Sequence, residues 1–147
     1  MKFAILSPAI AAATMLAAAA SMTVTADAGT LTRLECRASG AVDISMSTRY
    51  EVRTGGRKKF STEFEAAPGL GYVAGAKLGV QVKGVKVGTM TLETLVGGNI
   101  IGDLNFDTRP QPPDSIAFPA NWPNPIGRGA DIKVLRGTTV VLGCSLR

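Results

Sequence analysis

The reactive side chains of this sequence are few. Its two cysteines, Cys36 and Cys144, are far apart, whereas a redox-active pair is usually spaced Cys-x-x-Cys. In an oxidising compartment such a pair is most simply a structural disulfide. It would close nearly the whole mature chain and, on the chain-entropy view, contribute about 4–5 kcal/mol. Histidine is absent, which removes Ser-His-Asp and Cys-His nucleophilic catalysis, histidine-ligated zinc and type-1 copper. No Ser-x-x-Lys dyad replaces them. Met46 and Met90 fall on apolar strand faces rather than in a copper site.

Carboxylates offer weaker chemistry. Glu63, Glu65, Asp103 and Asp107 could supply the acid and base of a glycoside hydrolase, but such a pair needs a cleft and one raised pKa. Their outward parity among basic neighbours argues against both. Asp103, Asn105 and Asp107 project to one side of a strand and form a weak calcium candidate, without the glycine and distal glutamate of an EF-hand. Gly69-Leu70-Gly71-Tyr72-Val73-Ala74 has the outline of a dinucleotide fingerprint. That motif requires a following helix, and the next residues, Lys77 to Val82, alternate as a strand, so these are turn glycines. The sequence therefore predicts no enzyme, no cofactor and no metal.

Two binding candidates remain. One is the basic tip and flanks of a hairpin: Arg49, Arg53, Arg57, Lys58 and Lys59. The other is Phe118 and Trp122 in a proline-bounded loop, where rigid aromatics make good recognition anchors. Each has a structural alternative. The cations can be a solvated face balanced by Glu51 and Glu63, and the aromatics can fold back to plug an open end of the core.

The elements that must position these residues alternate with a period of two. Val42, Ile44, Met46, Thr48, Tyr50 and Val52 share one face. After Thr54-Gly55-Gly56 the pattern resumes at Phe60, Thr62, Phe64 and Ala66. A three-residue loop keeps both apolar faces together and pairs Glu51 with Lys59 and Tyr50 with Phe60. A second hairpin turns at Lys83-Gly84, matching Val82 to Val85 and Val80 to Val87, with a bulge expected at Gly88. A third turn at Gly97-Gly98-Asn99 leads to Leu104 and Phe106. Leu34, Cys36 and Ala38 mark the first strand, Ile132 and Val134 a late one, and Val140, Leu142, Cys144 and Leu146 the last. Both cysteines fall on inward parity. Residues 109–127 hold six of the eight prolines and cannot form a central strand. The expected fold is an all-β single domain, an immunoglobulin-like β-sandwich or small barrel of about eight antiparallel strands with one disulfide.

Residues 1–28 read as a cleaved secretory signal peptide: Lys2, an uncharged alanine-rich stretch, then Ala26-Asp27-Ala28 before the mature domain, 29–147. The expected location is the periplasm of a Gram-negative bacterium or the extracellular space, with no membrane span after cleavage. The mature segment carries fifteen Lys and Arg against ten Asp and Glu, which favours anionic neighbours; the compartment argues against nucleic acid. The reading is a non-catalytic monomer that binds an anionic envelope glycan or lipid, or another exported protein. The alternatives are a periplasmic inhibitor or chaperone-like factor, acting through an edge strand or the Phe118–Trp122 loop, and a structural subunit of a surface assembly.

Overall fold

The structure, a computed structural model, describes residues 29–40 and 42–147, so the expected signal peptide lies outside the described residues. Among the described residues nine strands follow in order: β1 (Thr30–Ser39), β2 (Ile44–Arg53), β3 (Lys58–Ala66), β4 (Lys77–Val82), β5 (Val85–Thr91), β6 (Glu93–Thr94), β7 (Ile100–Asp107), β8 (Asp131–Arg136) and β9 (Thr139–Ser145). They form two antiparallel sheets, ordered β1-β2-β3-β7-β6 and β5-β4-β8-β9. The fold is the expected β-sandwich. Its strand order is a three-strand meander followed by alternation between layers, and not the order of immunoglobulin domains, which places strands A, B, E and D opposite C, F and G.

The first sheet is built on the expected hairpin. Tyr50 faces Phe60 and Glu51 faces Lys59, with Thr54, Gly55 and Gly56 forming the loop. The second hairpin matches Val82 to Val85 as expected, but Val80 pairs with Gly88 rather than Val87, because the bulge falls between Val80 and Gln81 in the pairing. The bulge lets Val87 and Met90 both point inward. Gly88 has a packing reason: a Cβ there would come within 2.9 Å of Leu104 and 3.3 Å of Phe106. That close approach brings β5 against β7 before the chain crosses into the first sheet as β6.

Between the layers lie rows of side chains set by register. Leu34, Tyr50, Phe60 and Phe106 form one row, and Ala38, Met46 and Phe64 another. They meet Leu78, Val80, Val82, Ile132, Val134 and Leu142 from the second sheet. Thr48 and Thr62 also face inward, each buried, and their hydroxyls hydrogen-bond at 2.9 Å. Each thus satisfies the other's polar group where water does not reach. Val140, expected inward, is exposed instead, because a bulge between Val134 and Leu135 shifts the register beside it.

One side of the sandwich is fastened covalently. Cys36 on β1 and Cys144 on β9 form the disulfide, with Cα atoms 5.8 Å apart, joining one sheet to the other. Beside it Glu35 and Arg147 exchange two backbone hydrogen bonds, of 3.0 and 3.1 Å. The bond closes 108 residues, so Cys36→Ala with Cys144→Ala is expected to lower stability by about 4 kcal/mol. Urea unfolding of the oxidised protein and the double variant measures this, and a difference below 1 kcal/mol would refute it.

Candidate functional site

Register disposes of the basic hairpin as a bare cationic surface. Across the outer face of β1, β2, β3 and β7 it aligns Arg33, Glu51, Lys59 and Asp107 in one row, so charges alternate in sign from strand to strand. Arg33 and Arg49 both donate to Glu35, at 2.7 and 2.9 Å. These bonds hold the Glu35 carboxyl below its ordinary pKa. Arg53 donates to Glu51 at 3.1 Å, and Arg33 and Arg49 stand 4.0 and 3.9 Å from its other oxygen. Covered by three arginine side chains, Glu51 is buried although its parity is outward.

Asp107 is the second buried carboxylate, only 3 % exposed. The fork of Arg57 reaches both of its oxygens, at 3.0 and 2.7 Å, the Arg109 amide donates at 2.8 Å, and the Lys59 ammonium lies 3.6 Å away. Burial alone would raise its pKa. The Arg57 and Arg109 hydrogen bonds, with the charges of Arg57 and Lys59, outweigh burial and leave it lowered. The same contacts engage the calcium candidate. Asp103, Asn105 and Asp107 share a face of β7, but Asp107 is committed to cations and Asn105 donates to Asp103 at 2.6 Å. Among the described residues no group of three or more Cys, Asp or Glu side chains is placed to hold a metal ion.

Over these charges lies an open recess of about 360 Å³, floored by Arg49, Glu51, Lys59, Ser61 and Asp107 and walled by Gln111, Asp114 and Ser115. Its chemistry is hydrogen bonding of both signs. The other carboxylates stand further along the same outer face: Glu63 and Asp103 are exposed and opposite one another, and Glu65 accepts from the Asn99 amide at 2.8 Å.

The structure also places the aromatic pair, Phe118 and Trp122. Residues 109–127 run across the mouth of the sandwich, pinned where the Asp107 amide donates to Ile116 and the Ile116 amide to Asn105. Trp122 then drops into the core, 9 % exposed. Its ring meets Phe60, Phe106 and Phe118 edge-on, with centroids 5.0, 5.7 and 4.8 Å away, and stacks on Tyr50 at 6.4 Å. Phe118 is half-buried against Phe106. A side chain enclosed in this way cannot meet a partner, so Trp122 is a plug.

Sequence reasoning missed the face where the excess charge sits. The segments forming the first sheet, 30–66 and 93–107, hold seven cations and eight acids. Those forming the second, 77–91 and 131–145, hold Lys77, Lys83, Lys86, Lys133 and Arg136 against Asp131 alone. Gln81 pairs with Lys86 on one side and Lys133 on the other, which puts both ammonium groups on the outer face. Lys77 and Lys86 are exposed. Lys133 keeps Asp131 at 3.3 Å, while Arg136 donates to the Gly71 carbonyl and lies 5.2 Å over the Tyr72 ring, a contact that leaves its charge in place. Gly79 and Gly143 lie between these side chains and add none of their own to the face. The available signal was a count of charge per sheet, which requires knowing which strands share a sheet.

Two measurements test this description. Trp122→Ala is expected to cost about 3–5 kcal/mol of stability. Trp122→Phe is expected to cost clearly less, because the indole nitrogen is buried with no hydrogen-bond partner among the described residues and phenylalanine leaves no such group unsatisfied. Equal losses would contradict the plug. Asp107→Asn is expected to cost about 1–3 kcal/mol at pH 7. Since the folded pKa of Asp107 is lowered, its contribution is complete above the ordinary aspartate range near pH ~4. It fades as pH falls through the lower folded value. The gap between wild type and variant should therefore close on acidification, as denaturant midpoints at several pH values would reveal.

Compared with protein-family models, curated proteins and solved structures, the chain matches none of them.

Proposed function

We propose that this protein is a non-catalytic binding module of the cell envelope or extracellular space that attaches to an anionic envelope component through the outer face of its four-stranded sheet. The observation that carries the reading is the division of charge between layers: the second sheet bears five cations and one acid, while the first is close to neutral. A face with a large excess of one sign and little internal compensation attracts polyanions, whereas paired cations have already spent most of their field on their partners. Export is part of the proposal. The leader-like residues 1–28 support it, and so does a disulfide, which persists in oxidising compartments. Among the described residues no helix is long and apolar enough to cross a membrane. The burial of Trp122 favours this reading over an inhibitor acting through the Phe118–Trp122 loop.

The test compares two double variants that lose the same charge from different layers. Lys86→Ala with Lys133→Ala is expected to elute from immobilised heparin at clearly lower salt than wild type, with affinity reduced about tenfold at low ionic strength. Arg37→Ala with Lys58→Ala, on the first sheet, should change elution far less. Equal shifts would mean that net charge alone governs retention, and the assignment to one face would fail.

A further inference from the structure

The geometry points to a lipid bilayer with anionic headgroups as the partner, met by the four-stranded face together with one end of the sandwich. This inference rests on the polyanion reading and narrows its ligand. Among the described residues, five of the seven exposed large apolar side chains, Val42, Val73, Leu95, Val96 and Val140, gather at that end. Topology places them there. Val42 and Asp43 lead into β2, the loop 67–76 joins β3 to β4, the turn 95–99 joins β6 to β7, and Val140 follows the turn from β8 to β9.

Hydrogen bonds tie these connections into one surface. The Ala67 amide donates to Asp43, the Gly75 amide to Leu92, and the Arg136 guanidinium to Gly71. The β6–β7 turn closes on itself, with Leu95 donating to Asn99 and Gly98 to Leu95. Leu95 and Val96 are thereby held outward at its tip, and Val96 is fully exposed. Loop tips of this kind are convex, so they suit insertion among headgroups better than closure around a small ligand.

Charge decides which surface they suit. Lys77 begins β4 directly after the loop that carries Val73, and Arg136 ends β8 near Val140. The cationic face therefore runs up to the apolar end. Apolar tips bordered by cations are the pattern of peripheral attachment to anionic membranes, where burial of the tips and attraction to the headgroups act together. The acids of that end, Asp43, Glu65 and Glu93, all lie in segments of the five-stranded sheet. The molecule would lean on its four-stranded face, with those carboxylates turned away from the headgroups.

The experiment uses the chain as the expressing cell exports it, with phosphatidylcholine vesicles made with and without phosphatidylglycerol, and immobilised heparin as the lipid-free polyanion. Wild type is expected to sediment with the phosphatidylglycerol vesicles and less with phosphatidylcholine alone. Val96→Asn with Val73→Asn, which removes the apolar groups without changing charge, should weaken vesicle binding about tenfold while leaving heparin elution and the thermal midpoint unchanged. Lys77→Glu with Lys86→Glu should weaken both kinds of binding. Retention on heparin without vesicle binding, or vesicle binding indifferent to the valine substitutions, overturns the lipid inference and leaves the polyanion reading standing. Loss of both on wild type overturns the two together.

Discussion

Strands β1, β2, β3 and β7 share an antiparallel register that runs unbroken from Thr32 to Ser39 on β1 and across the full paired lengths of β2, β3 and β7. It constrains both faces of the sheet at once. Because side chains alternate, any register that stacks Leu34, Tyr50, Phe60 and Phe106 inside must also align Arg33, Glu51, Lys59 and Asp107 outside. A slip of one residue would expose the core row and bury the charged one. Core packing and outer ion pairs are therefore not independent contributions; they are two consequences of one pairing. Arginines over Glu51 and the Arg57 fork on Asp107 make the outer consequence specific, since a buried carboxylate without its cation is costly.

Closing the two layers needs different means at different edges. At β1 and β9 the disulfide and the Glu35–Arg147 backbone pair join the sheets. At the opposite edge the chain itself crosses, with β5 leading into β6 and Gly88 admitting the close contact. The mouth near the β2–β3 hairpin is filled by Trp122, carried by a segment too rich in proline to join either sheet. That leaves the far end, with its short glycine-bearing connections, as the place where apolar side chains stay in solvent. Exposed apolar groups gathered in one region mark interaction surfaces more often than scattered ones do.

The two layers also differ electrically. Pairing on the first sheet confines its field to short range, and a recess with both signs of charge lies over it. The second sheet is cationic and weakly compensated, so its field extends outward until salt screens it, about 8–10 Å at physiological ionic strength. The proposed binding role rests on this asymmetry and not on the clustered cations of the hairpin, whose charges are largely answered by neighbouring carboxylates.

Much of the scaffold was legible in the chain. Period-two alternation marked the strands, the Thr54-Gly55-Gly56 loop set the register of β2 on β3, and inward parity placed both cysteines in the core-facing rows. These are local properties, and local sterics and the pleat determine them. What the chain could not show is which strands share a sheet. Asp107 meets Arg57 across 50 residues, and Trp122 meets Tyr50 and Phe60 across longer gaps still. Only the tertiary structure decided that Arg49, Arg53, Arg57 and Lys59 of the hairpin meet carboxylates, that the tryptophan is a plug, and that the excess of cations over acids lies on the other layer. Those outcomes depend on long-range strand pairing, and a period of two is silent about partners because every strand carries the same period.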